Sequence, residues 1–552
     1  MTHTVRYLGA PGCGKTTALR QALRDERDEH GASPWDVYWL CFTNSGADDT
    51  IDSFLDVFDR ALDDPDDADG RVRTFHSLAL KLARDEGIVE EQDEQVIQQR
   101  SGAAHYRAFC NDVGLGYSEH ADDPLRDDKD TSGVPAGNKI FRAAEYLKVR
   151  ELPAKKVRLA DRKLDLPMSN REAYELIQKW EQFKRDGGAL DGGRRLFTHA
   201  DYVAEVAQQG LVPDVDALLL DEFQDLSPLE LTLFEQWAGA VDRVYIAGDP
   251  AQSVYAFRGA RPEYLENLDA DDTHELRDSY RCPSNIADAA ASVLTRHRAT
   301  TDYRFAGRTA GGDVREVRSR GSRTRTVARD LADRLDGGLL DTHDGDGNAV
   351  LLLARTNRRA RQIGKSLRER GIPYSWLSRH RGWDKDMKRI MRALTMLTDG
   401  EKPMRNDGRA LFNNLPGDRD ADIRWSSYDA PGDETTAADL LDRIPESPAE
   451  AATELDMPDW KCEALANALA DGYDVDPDAI RVGTIHASKG LEAPHVYLDT
   501  HAPKQVRRGY QGRGGAEEHR LFYVGASRAS ASLTWHVVPD GRRHPALRGV
   551  VS

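Results

Sequence analysis

The chain has 552 residues, of which 39% are hydrophobic and 31% charged, and its formal net charge is −18. That length exceeds what one hydrophobic core organises, and it predicts about three or four domains. No run of about eighteen apolar residues is present and no basic segment followed by an apolar one opens the chain, so neither a membrane span nor a secretory signal is expected.

In chain order, residues 5–8 are a short strand candidate, and Gly9-Ala10-Pro11-Gly12-Cys13-Gly14-Lys15-Thr16-Thr17 follows. This fits Gly-x-x-x-x-Gly-Lys-[Ser/Thr], the loop that cradles nucleotide phosphates. Glycines let backbone N–H groups turn inward as an anion nest. Lys15 is expected to reach the β- and γ-phosphates and the Thr16 hydroxyl to sit on Mg²⁺. Helix-forming sequence follows from Thr17, and a helix N-terminus favours anions. Further strand candidates are residues 37–41, 217–220, 244–247, 350–353, 496–498 and 533–538, most of them followed by helical sequence. This alternation predicts an α/β fold with parallel sheets and helices on both faces. Residues 88–195 and 380–475 read as mostly helical insertions, and Gly417–Glu446, rich in Asp, Pro and Gly, as an exposed, partly mobile connection.

Two later segments carry chemistry. Leu218-Leu219-Leu220-Asp221-Glu222-Phe223-Gln224-Asp225 delivers two adjacent carboxylates to a strand's C-terminal end, where open α/β sheets bind ligands. Asp221 is expected to hold Mg²⁺ and Glu222 to orient or activate the attacking water. The segment from Val244 to Ala260 ends a strand in a turn bearing Gln252, with Tyr255, Phe257 and Arg258 just beyond. Base stacking on such rings contributes about 1–3 kcal/mol per base and tolerates any sequence. One short segment could therefore touch both the γ-phosphate and a nucleic-acid strand.

Charge and cysteine usage set the surroundings. Cys13, Cys41, Cys110, Cys282 and Cys462 are scattered and form no Cys-x-x-Cys pair, which fits a reduced cytoplasmic protein without structural zinc or an iron–sulfur site. Acidic runs such as Asp63-Asp64-Pro65-Asp66-Asp67 lie between motifs, and Arg carries most of the positive charge. We read the acidity as adaptation to a halophilic cytoplasm, the competing reading being a partner other than nucleic acid. Two basic stretches, one from Lys148 to Lys163 and one from Arg355 to Arg370, are either solvated helix faces or parts of a phosphate-tracking groove.

The ordered motifs resemble superfamily 1 helicases of the UvrD/Rep type. Phe42-Thr43-Asn44 resembles motif Ia, and Thr74-Phe75-His76-Ser77-Leu78 the Thr-Phe-His-Ser motif. Asp221-Glu222-Phe223-Gln224-Asp225 resembles motif II, and Gly248 to Ala260 motif III. Ser279-Tyr280-Arg281 resembles motif IV, with Arg355-Thr356-Asn357 the short motif after it. Thr484-Ile485-His486-Ala487-Ser488-Lys489-Gly490-Leu491-Glu492 resembles motif V, and Tyr523-Val524-Gly525-Ala526-Ser527-Arg528-Ala529 motif VI. The resemblance implies two RecA-like parallel-sheet P-loop motor domains closing on one ATP. The first spans residues 1–87 and 196–275, with a helical insertion at 88–195. The second spans 276–380 and 476–552, with a reduced accessory insertion at 381–475.

The resemblance also implies residue roles. Lys15, Thr16, Asp221, Glu222 and Gln252 come from the first domain, and Arg281 and Arg528, similar to the family's two γ-phosphate arginines, from the second. The loop Gly9, Ala10, Pro11, Gly12, Cys13, Gly14, Lys15, Thr16 and Thr17 binds nucleotide, Tyr280 stacks on adenine and Glu492 lies near the ribose. Phe42, Thr43, Asn44, His76, Tyr255, Phe257, Arg258, Thr484 and His486 match positions lining a single-strand channel. The implied activity is ATP- and Mg²⁺-dependent 3′→5′ movement on single-stranded DNA with duplex unwinding at junctions. RNA as the track, the pathway (repair, replication or a mobile element) and accessory partners stay open.

The chain departs from the family pattern in places. Only eight residues precede Gly9, so the family's upstream adenine-reading glutamine is not expected and selectivity for ATP over other nucleoside triphosphates stays open. Thr17 stands where an arginine is common, Ser279 replaces an Asn, and Ser45-Gly46-Ala47-Asp48 lacks the usual lysine. The second insertion is short, and no nuclease domain is expected after motif VI. Two alternatives therefore stand: a strand translocase or protein-stripping ATPase that opens no duplex, and a non-motor P-loop NTPase.

Overall fold

The computed structural model describes residues 2–42, 44–58, 70–90, 95–98, 102–121, 133–188, 193–296, 305–321, 323–341, 348–377, 383–398, 401–416, 447–471, 475–510 and 514–551. The expected connection at 417–446 lies outside them. The chain divides into two compact units, Met1–Ala310 with Gln505–Val524 and Gly311–Lys504 with Gly525–Ser552.

The first unit is built on six parallel strands: β1 (His3–Gly9), β2 (Val37–Cys41), β3 (Val72–Thr74), β4 (Ala217–Leu220), β5 (Arg243–Gly248) and β6 (Asp272–Leu276), in the order β3-β2-β4-β5-β1-β6. β2 and β4 are buried at every position, as strands covered on both faces must be. β6, at the edge, is exposed at all but its last position and carries Asp272 and Glu275. Alternate residues serve the two faces. Trp39, Leu219 and Ala247 pack with Leu19, Leu23 and Phe54 of helices α1 (Lys15–Glu29) and α2 (Asn44–Phe58). Leu40, Leu218 and Ile246 pack with Phe75, Val203 and Trp237 on the other face. That face is covered by α3 (Phe75–Asp85) and by two later helices.

The insertion between β3 and β4 has a core of its own. Helices α4 (Ala103–Val113), α5 (Ala136–Lys148), α6 (Arg158–Leu164) and α7 (Asn170–Arg185) gather Phe109, Ile140, Ala160, Ile177 and Trp180 into one cluster. The helices α8 (His199–Gln209) and α9 (Pro228–Ala238) then return the chain to the sheet. After β6 come two short parallel strands, β7 (Asp278–Ser279) and β8 (Ala306–Gly307), around the helix Ser284–Thr295. This segment stays with the first unit, past the border expected at residue 275.

The second unit holds another all-parallel sheet. Its strands are β9 (Asp313–Arg318), β10 (Val350–Ala354), β11 (Ser375–Trp376), β12 (Ile480–Thr484), β13 (Ala493–Asp499) and β14 (Ala529–Val537), ordered β11-β12-β10-β13-β14-β9. Both sheets are α/β and parallel, as expected. Among the described residues between β11 and β12, the helices Lys385–Thr398, Arg405–Phe412, Pro448–Thr453 and Asp459–Asp471 pack into the same core as Leu352, Tyr374 and Val482. No helix among the described residues is long and apolar enough to cross a membrane.

Candidate nucleotide and nucleic-acid sites

Because every strand of the first sheet runs the same way, the segments that leave β1 to β5 emerge at one sheet edge. In the spatial order β3-β2-β4-β5-β1 that edge carries His76, Phe42, Asp221, Asp249 with Gln252, and finally the glycine loop. Parallel pairing alone separates an aromatic end from the glycine-loop end.

At the phosphate side, Gly12 and Gly14 adopt left-handed conformations, and Gly14 caps the N-terminus of α1. A β-carbon on Gly12 would lie 2.4 Å from Cβ of Arg281, so only glycine fits this approach. Lys15 Nζ is buried and donates to the carbonyls of Gly9 (3.0 Å) and Ala10 (3.2 Å). Thr16 Oγ1 donates to Asp221 Oδ2 at 3.0 Å. Burial, followed by the neighbouring Glu222 carboxylate, pushes the Asp221 carboxyl up to about 6. A buried acid beside a like charge is stabilised by a cation, so a hydroxyl and this carboxylate suit a hard divalent ion.

Glu222 itself has φ +58, an uncommon conformation for a residue with a side chain. Gln224 supports it: its Nε2 donates to Glu222 Oε2, while its Oε1 accepts from Asp249 N at 3.0 Å. Asp249 in turn accepts from Gln252 Nε2 at 3.0 Å and from Ala251 N at 2.9 Å. Gln252 is thus tied through Asp249 and Gln224 to Glu222.

The segment resembling motif IV rests on the loop. Tyr280 N donates to Gly12 O at 2.9 Å, and Ser279 Oγ donates to Pro11 O at 2.8 Å while accepting from Cys282 N at 3.1 Å. Ser279, a departure from the family pattern, therefore holds loop and segment together with its hydroxyl. Arg281 lies in the first unit, beside Gly12, and not in the second domain as the resemblance implies. Tyr280 is 67% exposed, and the Arg308 guanidinium covers one face of its ring at 4.6 Å.

At the strand side, Phe42 and Tyr255 stack with centroids 5.3 Å apart, Tyr255 meets Phe257 edge-on at 5.7 Å, and Arg258 lies 5.3 Å from the Phe42 ring centre. Arg258 Nη2 also donates to the buried Glu230 at 3.0 Å, and His76 Nδ1 is 3.5 Å from the same oxygen. Burial holds His76 below the usual imidazole value, with Glu230 opposing and Arg258 adding to the shift. Thr43 and the side chain of Asn44 lie outside the described residues.

In the second unit, β10 and β12 are neighbours with Ala354 paired to Thr484, so Arg355-Thr356-Asn357 and Thr484–His486 leave the sheet side by side. Thr484 is buried and its Oγ1 accepts from Ala487 N at 3.3 Å, capping the turn that carries the half-buried His486. Arg528 is buried and donates to Leu491 O (3.2 Å) and Ser527 Oγ (3.3 Å). Glu492 is exposed.

The basic stretches resolve differently. Lys148 and Lys184 converge on the buried Asp201, joined by Glu181. Arg359 pairs with the buried Asp499. These cations hold helices together, whereas Lys155, Lys156, Arg158, Arg162 and Lys163 are exposed. Sequence reasoning missed Gln224 and Ser279 as site supports, although both sit inside recognised motifs. It also missed Glu230, which the capping pattern Ser227-x-x-Glu230 could have flagged only as a helix start.

Family models match both units. The UvrD/REP helicase N-terminal domain matches residues 2–273, and the UvrD-like helicase C-terminal domain matches residues 446–538. The chain belongs to the UvrD/REP helicase family. In this UvrD-type chain the first match runs from β1 into β6, and the second contains β12, β13 and β14. Among curated relatives, it is 23% identical over 403 residues to ATP-dependent DNA helicase PcrA of Leuconostoc citreum, covering 71% of this chain and 50% of that protein. It is 26% identical over 356 residues to ATP-dependent DNA helicase UvrD2 of Mycobacterium tuberculosis (strain ATCC 25618 / H37Rv), covering 59% and 48%. To ATP-dependent DNA helicase Rep of Escherichia coli (strain K12) it is 25% identical over 421 residues, covering 60% and 61%. The chain spans about half the length of the first of these relatives.

Proposed function

We propose that this chain is an ATP-dependent DNA helicase that moves 3′→5′ on single-stranded DNA. The observation that carries the reading is the single sheet edge that joins a phosphate loop to an aromatic step through residues 249–258. The names of the relatives, all ATP-dependent DNA helicases, support it. In this reading Lys15 and the loop amides bind the triphosphate, and Thr16 and Asp221 hold Mg²⁺. The ion neutralises charge on the β- and γ-phosphate oxygens when bound. Glu222, backed by Gln224, orients the attacking water and takes its proton. Arg281, beside Gly12, stabilises charge that develops on the transferred phosphoryl group, and Arg528 of the second unit is assigned the same role. Tyr280 offers an open ring to the base. Phe42, Tyr255 and Phe257 stack strand bases while Arg258 faces the backbone and His76 lines the same track; Thr484 and His486 are strand-contacting residues of the second unit.

Polarity and unwinding are tested with partial duplexes bearing a single-stranded tail on one side. The 3′-tailed substrate is expected to open with ATP and the 5′-tailed substrate to stay closed; opening of the 5′-tailed substrate alone overturns the direction. A second reading, a translocase that opens no duplex, is favoured by one feature. The described helices between residues 385 and 471 share the core of the second sheet instead of forming a separate body. Strand-stimulated hydrolysis with neither substrate opened would select it.

A further inference from the structure

Residues 249–258 run directly from Gln252 to Tyr255 and Phe257, and they are held by little regular structure. Two three-residue helical turns, Pro250–Gln252 and Ala256–Arg258, make up most of the segment. A displacement of Gln252 would dissipate in so short a turn unless its carbonyls were anchored from outside.

Two guanidinium groups from distant parts of the first unit anchor it. Arg150, two residues beyond α5, uses Nη2 to donate to both Ala256 O and Phe257 O at 2.6 Å. Its guanidinium carbon lies over the Tyr146 ring, 3.7 Å from the ring centre, and its stem is 3.1 Å from where a β-carbon on Gly259 would stand. Arg520, buried on the helix Gly514–Ala526, donates Nε to Ser253 O at 2.8 Å. One turn on, Tyr523 donates its hydroxyl to Asp249 Oδ2 at 3.4 Å. Glu517 lies close enough to act electrostatically on both arginines. A planar fork held by stacking loses little freedom when it binds carbonyls, which suits a brace better than a flexible ammonium.

We propose that Arg150 and Arg520 are positioning residues that brace the 249–258 segment, so that movement of Gln252 at the nucleotide end is delivered to Tyr255 and Phe257. The proposal rests on reading the chain as a strand-stimulated ATPase. Neither arginine is assigned to nucleotide or strand, so both can be changed without touching the proposed machinery.

The test compares wild type with Arg150→Met and Arg520→Met, which keep the apolar stem and remove the donors. ATP hydrolysis is measured without strand and at saturating single-stranded DNA, together with KM for ATP and thermal melting. Basal kcat and KM are expected to stay at the wild-type level, while the strand-stimulated kcat falls about tenfold or more, the scale of a misplaced positioning group. Arg150→Lys, which keeps a charge and one donor group at the carbonyls, is expected to retain part of the stimulation, and it carries the test if a Met variant does not fold. Equal losses in basal and stimulated rates, or stimulation at the wild-type level in both Met variants, would overturn the brace. A wild-type enzyme indifferent to strand would instead overturn the functional reading, and the brace with it.

Discussion

Glu222→Gln is expected to lower strand-stimulated ATP hydrolysis by about 10²–10⁴-fold while ATP still binds, the range for removing a general base. The amide keeps the shape of the carboxylate and can still accept from Gln224 Nε2, so the 222–225 turn has no reason to rearrange. What disappears is the acceptor of the water's proton. One consequence runs the other way. Glu222 is the second cause, after burial, of the raised Asp221 carboxyl. Neutralising it lets Asp221 ionise more readily, so affinity for Mg²⁺ and ATP is expected to stay level or rise. Single-turnover hydrolysis and nucleotide binding, measured on the same preparation, separate the two effects. A hydrolysis rate within about threefold of wild type would remove Glu222 from the chemistry altogether.

Asp201→Ala is expected to destabilise the helical insertion by about 3–5 kcal/mol, the cost of breaking a buried ion pair from one side. Lys184 is 4% exposed and would lose its closest anion, and Lys148 would keep only Glu181, which is itself 22% exposed. The same aspartate caps α8, accepting from Thr198 N at 2.7 Å and Thr198 Oγ1 at 2.8 Å, and loss of a cap adds about 0.5–2 kcal/mol. Burial alone would raise this carboxyl, but the two ammonium groups outweigh it and hold it well below the usual range. The contribution is therefore complete above the unfolded carboxylate value near about 4 and fades as pH falls below it. Hydrogen exchange at neutral pH should show lost protection across α5, α7 and α8. Replacing Asp201, Lys148, Lys184 and Glu181 together by Leu, Met, Met and Gln should recover most of it, because no uncompensated charge then remains. Unchanged protection in Asp201→Ala would show that the network contributes little.

What could be read from the sequence was local. The glycine loop, the Asp221–Glu222 pair and the Gln252 turn are each set by neighbouring residues and by the strand that precedes them. The α/β class followed from the same runs, since β2, β4 and β10 are apolar at nearly every position. The pairing of distant residues was not readable. Arg150 meets Ala256 across 106 positions and Arg520 meets Ser253 across 267, and no periodicity encodes either contact. The run from Lys148 to Lys163 reads as uniform, yet Lys148 and Arg150 are half-buried partners and the later members are exposed. The distinction depends on Asp201 and on the carbonyls of residues 256 and 257, which lie far along the chain. The placement of 276–310 with the first unit follows from Ser279 and Tyr280 bonding the glycine loop, contacts that a boundary drawn from strand spacing misses.

The net charge of −18 makes the ionic conditions part of any test. Phosphate pairing weakens steeply with salt, whereas stacking on Phe42, Tyr255 and Phe257 depends on salt far less. The most direct measurement is therefore ATP hydrolysis by the intact chain, at low and at molar KCl, with and without single-stranded DNA. Our account predicts that added strand raises the rate about tenfold or more, as coupled closure of a catalytic site does, and that part of the stimulation survives molar salt. A rate indifferent to added strand at every salt concentration would contradict it.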